Sequence, residues 1–177
     1  MKTAKPLLLI DVDGVLNPFD MEPADALANG FESYRITVAD GRTFTVRLNK
    51  LHGRWLTSLA ADFELVWATT WAAEANTLIG PKIGLGPLPF IAPVRRGLYR
   101  QEKTAPVRAY VRGRPFAWID DSFERETVDW IRRRDPTRQF SLLLRPDVGV
   151  GLTAEHVKVL RGFAANLRGA NKAVGGA

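Results

Sequence analysis

Residues 7–19 read LLLIDVDGVLNPF, and this segment predicts the first strand of the fold and the polar loop that follows it. The unbroken apolar run Leu7–Ile10 is typical of a short strand buried on both faces of a parallel sheet. Asp11 and Asp13 follow at the carboxyl end of that strand, where α/β sheets bind ligands, and Gly14 permits a sharp turn. Two carboxylates this close favour a bound cation or a shared proton, and hard oxygen ligands favour magnesium over zinc.

Two other interpretations of the Asp-x-Asp-Gly sequence compete with a magnesium site. A calcium-binding loop also contains Asp-x-Asp, but it needs a glycine at its sixth position, where this chain has Leu16, and a preceding helix. A solvated turn is the simpler interpretation, because acidic residues are common in the loops that follow strands. The motif alone does not distinguish a metal site from a solvated turn.

The composition is that of a soluble globular domain. The chain has 177 residues, 46% of them hydrophobic and 25% charged, which predicts a single domain over residues 1–177. It has no cysteine, which excludes disulfides, thiolate zinc sites and a cysteine nucleophile, and we predict a cytoplasmic protein with no membrane segment. The net charge of +6 favours phosphate-bearing ligands, nucleic acid included.

Apolar runs and helical spacing alternate along the chain. Further strands are predicted at Phe63–Ala68, Pro115–Ile119 and Phe140–Leu144. Helices are predicted after Asn49, over Ala72–Ile79 with a stop at Gly80-Pro81, over Thr104–Arg112, over Phe123–Arg134, and after Thr153. This alternation predicts an α/β fold, a Rossmann-like parallel sheet sandwiched between helices.

Two stretches interrupt this alternation. Residues 19–30 read as a polar loop, and Tyr34–Leu48 alternates around Asp40-Gly41, which predicts a β-hairpin. The hairpin either belongs to a small insertion of about residues 19–48 or is a plain extension of the sheet. A loop rich in glycine and proline, Pro81–Pro93, leads to a cluster of arginines before Lys103.

The first strand and its Asp-x-Asp-Gly-Val sequence resemble the first motif of the haloacid dehalogenase-like (HAD) superfamily. The resemblance implies that Asp11 is a nucleophile and Asp13 a general acid and base. Family members that cleave carbon–halogen bonds generally lack the second aspartate, so Asp13 implies phosphoryl transfer. It also implies that the hairpin is a small flap or cap over the site.

The strand Phe63–Ala68 ends at Thr69-Thr70, which resembles the second HAD motif, whose hydroxyl holds a phosphate oxygen. Position favours Thr69, with Thr70 as the alternative, and either threonine is also explained as a strand former or helix cap. Lys103, just before a predicted helix, matches the third motif by position. The resemblance implies that it neutralises the nucleophile and the transferring phosphoryl group.

Asp120-Asp121 follows the apolar strand Pro115–Ile119 and resembles the fourth motif, which completes a magnesium site. Two aspartates at the end of a buried run are costly unless they coordinate or pair. The predicted Mg²⁺ ligands are Asp11, Asp13, Asp120 and Asp121. Asp121 is the expected direct ligand, and Asp120 is either a ligand or a residue that supports one.

These motifs together predict a magnesium-dependent phosphatase that works through an aspartyl-phosphate. The predicted substrate is a phosphorylated small molecule or a polynucleotide end. DVDGVLNP, together with WATTW, is similar to the HAD domains associated with RNA-repair proteins, which would suit the basic charge. The alternative function is a non-catalytic HAD-fold module that binds phosphate or nucleic acid. The oligomeric state is left open.

Overall fold

A computed structural model describes residues 4–96 and 100–174. The strands are β1 Leu7–Ile10, β2 Glu32–Thr37, β3 Thr43–Leu48, β4 Glu64–Trp67, β5 Val94–Arg96, β6 Arg100–Glu102, β7 Phe116–Ile119 and β8 Ser141–Leu144. The helices are α1 Pro23–Ala28, α2 Lys50–Leu59, α3 Gly80–Ile83, α4 Thr104–Val111, α5 Arg125–Arg134 and α6 Ala154–Val174, with a π-helical turn, Ala75–Ile79, before α3.

The central sheet, as far as the described residues define it, has four parallel strands in the order β4-β1-β7-β8. Strand β1 therefore lies between two neighbours, and Ile10 is level with Trp67 on one side and Ile119 on the other. This register places the residues that follow β1, β4 and β7 along one edge of the sheet.

The two faces of β1 explain why its sequence is apolar without alternation. Leu8 and Ile10 belong to a core with α2 and α6, whereas Leu7 and Leu9 belong to a core with α4 and α5. All four side chains are fully buried, and each such burial stabilises the fold by about 1.5–3 kcal/mol. The predicted α/β sandwich is confirmed.

The predicted hairpin is also confirmed. Strands β2 and β3 pair antiparallel in a two-stranded sheet of their own, not as an extension of the central sheet. Gly41 has a φ of +86° at the turn, and Val38 donates a hydrogen bond to the carbonyl of Arg42. We call residues 32–48 the flap hairpin; Ile36 and Val46 bury its inner face in the main core.

Two helical predictions were wrong in detail. Helix α1 lies in the stretch predicted as a loop; six residues are too short to show a helical period, although Pro23 suits a first turn. The predicted stop at Gly80-Pro81 is the start of α3, because a proline in the first turn loses no intrahelical hydrogen bond. The chain leaves α3 at Gly84, which has a φ of +74°.

A second hairpin was missed in the arginine-rich stretch before Lys103. Strands β5 and β6 pair antiparallel, with Val94 opposite Glu102. The sequence has no apolar alternation there, so no strand pattern could be recognised. The second strand of this hairpin ends at Glu102, directly before Lys103, and α4 begins at Thr104.

Candidate active site

Asp11 and Asp120 lie side by side because the strands that carry them are paired. The backbone N–H of Asp11 donates to the carbonyl of Ile119 at 3.0 Å, and that of Asp120 to the carbonyl of Leu144 at 3.1 Å. Each aspartate is thus the first residue beyond its strand, and both are buried, with 4% and 1% of their surface exposed. The sheet register alone brings two carboxylates together at its carboxyl edge.

The turn after Asp11 requires a glycine on two counts. Gly14 has a φ of +70°, and its N–H donates to the carbonyl of Asn17 at 2.9 Å. A Cβ at this position would lie 2.5 Å from the Cβ of Asp121, closer than carbon atoms can approach. Gly14 therefore allows the loop after β1 to lie against the loop after β7.

Lys103 links the two buried aspartates. Its Nζ contacts Oδ2 of Asp11 and lies 2.7 Å from Oδ2 of Asp120. Burial alone would lower the pKa of Lys103, but the two carboxylates raise it above its usual value. The side chain is therefore held as a cation between the two strand ends.

Asp121 joins these residues in a group suited to a cation. Asp11, Asp120 and Asp121 each offer a carboxylate oxygen within 4.8 Å of the others. Burial and then the charge of Asp11 raise the pKa of Asp120 to about 7, and the same two causes raise the pKa of Asp121. Three carboxylates against one ammonium leave negative charge uncompensated, and hard oxygen donors suit Mg²⁺. The donor set fits the predicted ion.

The carboxylate of Asp120 already has two partners. Oδ1 accepts the backbone N–H of Ser122 at 3.0 Å, and Oδ2 faces Lys103. Both oxygens are thus engaged within the protein, as are those of Asp11, whose Oδ1 accepts the backbone N–H of Val12 at 2.8 Å and whose Oδ2 contacts Lys103. These contacts do not distinguish Asp120 from Asp11 as a ligand, and the division of roles between Asp121 and Asp120 stays a prediction.

Asp13 is held apart from this group. Its Oδ1 accepts a hydrogen bond from Nδ2 of Asn17 at 2.8 Å, and its Oδ2 accepts one from Nε1 of Trp71 at 2.9 Å. Burial raises the pKa of Asp13, and these hydrogen bonds offset only part of that effect. Asp13, a predicted metal ligand, is thus held by Asn17 and Trp71, and it is not one of the three aspartates that offer oxygens within 4.8 Å of one another.

Residues 7–157 match a family model described as the HAD domain in Swiss Army Knife RNA repair proteins. The protein belongs to this HAD family. Membership supports a hydrolase-type function, and the matched range contains all the aspartates described above together with Lys103.

The HAD domain resembles the crystal structure of a hypothetical protein from Xanthomonas campestris, with 16% sequence identity and a TM-score of 0.49. That match covers 95% of this chain and 87% of the other. No curated protein matches the chain. Among the described residues of the HAD domain, no helix is long and apolar enough to cross a membrane.

The two threonines proposed to hold phosphate, Thr69 and Thr70, have different surroundings. Thr69 is fully buried, two residues beyond β4, and its Oγ1 accepts the backbone N–H of Trp71 at 3.4 Å. Thr70 is exposed and lines a cavity beside the site. Thr69 therefore lies near the carboxyl edge of the sheet with its hydroxyl already in contact with the backbone, whereas Thr70 faces open space.

The cavity lies between the flap hairpin and the site, and its volume is about 640 Å³. We call it the flap cavity; its lining includes Asp13, Phe19, Arg42, Phe44, Thr70 and Trp71. The rings of Phe44 and Trp71 meet edge to face, with centroids 6.0 Å apart.

Sequence reasoning missed Trp71 and Asn17, which hold Asp13. Asn17 also accepts the backbone N–H of Arg47 from β3 at 2.9 Å, so the flap hairpin is tied to the loop that carries Asp13. The available signal was the polar side chain in each motif, Asn17 in DGVLN and the indole in TTW, but neither identifies its partner.

Proposed function

We propose that this HAD domain is a magnesium-dependent phosphomonoester hydrolase that removes a terminal phosphate from a polynucleotide through an aspartyl-phosphate. The observation that carries the proposal is the contact of Lys103 with Asp11 and Asp120, beside Asp121 and with Asp13 held separately. A nucleophile, a cation and an independently held acid are the groups that this chemistry needs.

In the first step, an oxygen of Asp11 attacks phosphorus in line with the leaving oxygen. A bond forms between Asp11 and phosphorus, the ester P–O bond breaks, and Asp13 gives its proton to the leaving oxygen. Lys103 offsets the negative charge of the nucleophile and the phosphoryl oxygens. The Thr69 hydroxyl orients one of these oxygens.

In the second step, Asp13 takes a proton from a water molecule that attacks the same phosphorus atom. The bond between Asp11 and phosphorus breaks, inorganic phosphate leaves, and both aspartates return to their starting state. Asn17 and Trp71 hold the Asp13 carboxyl in one orientation through both proton transfers, because each of its oxygens has a fixed donor.

Asp11 and Asp121 would hold Mg²⁺ with the support of Asp120, and the ion would neutralise charge on the phosphoryl group. A phosphoryl group brings further negative charge to a site that already has three carboxylates and one ammonium. Lys103 alone cannot balance that charge.

A polynucleotide end is favoured over a small phosphometabolite by two observations. The matched family is described as the HAD domain of RNA repair proteins, and the chain has a net charge of +6. A basic protein attracts a polyanion more strongly than a single phosphate ester.

The proposal is tested by release of inorganic phosphate from 3′- and 5′-phosphorylated RNA and DNA oligonucleotides and from small sugar phosphates. Each is assayed with Mg²⁺ and again with a chelator. Asp11→Asn should lower kcat by at least about 10⁴-fold, since no other group replaces the nucleophile. Asp62→Asn is the matched control, because Asp62 precedes β4 and so lies at the amino ends of the strands, whereas the site lies at their carboxyl ends.

Four results would each contradict part or all of the proposal. Full activity of Asp11→Asn would contradict the assignment of Asp11 as the nucleophile, and full activity in chelator would contradict the requirement for Mg²⁺. A preference for sugar phosphates over every oligonucleotide would support a phosphatase but contradict a polynucleotide substrate. Folded protein that binds oligonucleotides but releases no phosphate would favour a non-catalytic binding module.

A further inference from the structure

We propose that the flap cavity binds the terminal nucleobase of a single-stranded polynucleotide, with Phe19 and Phe44 as stacking surfaces. Arg42 contacts the phosphodiester that joins this nucleotide to the next. The inference rests on the proposed function for the position of the terminal phosphate, and it assigns the residues that recognise the remainder of the substrate.

The position of Asp13 fixes where that remainder lies. The group that protonates the leaving oxygen must face it, so the rest of the substrate extends from the phosphate past Asp13. Asp13 and Thr70 both line the flap cavity. The nucleoside attached to the leaving oxygen is thus directed into this cavity.

The cavity presents aromatic surface that the protein does not bury. Phe19 and Phe44 are 49% and 39% exposed, although large apolar side chains are usually buried. The edge contact with Trp71 fixes the Phe44 ring, which lies next to the turn of the flap hairpin. Flat aromatic rings at the mouth of a site suit stacking with a nucleobase of any sequence.

Arg42 adds a cation where a polynucleotide has its next phosphate. Its guanidinium carbon lies 5.4 Å from the centroid of Phe44, and its side chain is 64% exposed and paired with Asp40 at 2.7 Å. An exposed ion pair contributes little stability, so Arg42 can exchange this partner for a phosphate at small cost. A mononucleotide has no such phosphodiester.

The size of the cavity is consistent with one nucleotide. Its volume of about 640 Å³ lies within the range of about 300–1,000 Å³ for small-molecule sites. The two proposed stacking residues come from different segments, Phe44 from the flap hairpin and Phe19 from the loop after β1. One nucleotide of a single-stranded end suits a cavity of this volume.

Binding is measured without turnover, in Asp11→Asn protein with Mg²⁺, by fluorescence anisotropy of phosphorylated oligonucleotides. One set has a normal terminal nucleotide and the other an abasic terminal nucleotide. Phe44→Ala should raise the Kd for the normal end by about fivefold or more and leave the Kd for the abasic end unchanged. Phe44→Trp should retain the difference between the two ends.

Phe140→Ala is the matched control. Phe140 is exposed to a similar degree, 44%, but it precedes β8 and so lies at the amino ends of the strands, away from the cavity. It should change neither Kd. Thermal unfolding of each variant shows whether a change in Kd comes from loss of folded protein.

Arg42 is tested by its dependence on the length of the ligand. Arg42→Ala should weaken binding of an oligonucleotide, reduce the slope of log Kd against log salt by about one, and leave a mononucleotide unaffected. Arg168→Ala is the matched control, because Arg168 is also exposed and paired with an aspartate at 2.7 Å, far from the cavity.

Equal affinity for normal and abasic ends in the Asp11→Asn protein would overturn the proposal, as would tighter binding of a phosphotyrosine peptide. These results do not depend on catalysis. A base-dependent Kd that Phe44→Ala removes would support the cavity even if no phosphate release were observed with the unmutated protein. The failure of the proposed reaction and the failure of this inference are therefore distinguishable.

Discussion

The proposed catalytic centre and the flap cavity are adjacent, and they are built in different ways. The centre is formed by side chains at the ends of central strands, and Asp11 and Asp120 are buried against Lys103. The flap cavity is lined in part by the flap hairpin, where Phe44 is 39% exposed and the side chain of Arg42 is 64% exposed. The difference separates a buried part, where we propose that the chemistry occurs, from an exposed part that we propose recognises the substrate.

Ion pairs show the same contrast. The pairs of Lys103 lie at the edge of the central sheet, with only 18% of the lysine side chain exposed. Lys50 pairs with Glu32 of the flap hairpin at 2.8 Å, and both side chains are more than half exposed. The same type of interaction should therefore have very different energetic weight in the two regions.

The largest effect is expected from Lys103→Met, which leaves two buried carboxylates facing each other. Its free energy of unfolding should fall by about 3 kcal/mol in the absence of metal, as measured by urea denaturation. Lys103→Arg should recover more stability than activity, because it restores the charge with a different geometry. Unchanged stability of Lys103→Met would show that the two regions do not differ in this respect.

Removal of Mg²⁺ should have the next largest effect. At a concentration of 100 times its Kd, a bound ion stabilises the folded state by about 2.7 kcal/mol, so a chelator should lower the Tm by about 5–10 °C. In Asp121→Asn this Tm shift should be smaller, while the metal-free Tm should not fall, because a repelling carboxylate is gone. An undiminished shift in the variant would place the ion elsewhere.

Trp71→Phe tests the residue shared by the two regions. It keeps the ring that meets Phe44 and removes the indole N–H that holds Asp13, so kcat should fall about tenfold. The loss should be large with alkyl phosphates and small with aryl phosphates, whose leaving oxygen needs less help from an acid. Trp55→Phe is the control; a loss independent of the leaving group would indicate a structural role.

The smallest effect is expected from Lys50→Met. It removes an exposed pair of the flap hairpin, so the urea midpoint of unfolding should stay close to that of the unmutated protein. A shift as large as that of Lys103→Met would show that exposed pairs of the flap hairpin matter as much as the buried pairs of Lys103.

The central strands were predictable from sequence because burial on both faces leaves an apolar run such as Leu7–Ile10. The flap hairpin was predictable because Asp40-Gly41 interrupts a clear alternation. Helix α1 and the hairpin of β5 and β6 were not, because short or charged elements have no period to recognise.

The site was predictable as a set of residues but not as an arrangement. The motifs identified Asp11, Lys103 and Asp120, yet only the register of β1 with β7 brings the two aspartates side by side. The partners of Asp13 could not be found either, since the contact between Asp13 and Trp71 joins residues 58 positions apart. Such contacts depend on tertiary packing.

The central position of β1 also determines when the site can form during synthesis. Strand β1 emerges first from the ribosome, but its neighbours β4 and β7 begin at Glu64 and Phe116, and Lys103 follows Asp11 by 92 residues. Pairings at such separation form late, because the loop between them must close first. The nascent chain therefore has the proposed nucleophile early but cannot form the complete candidate site until most of the domain has been made.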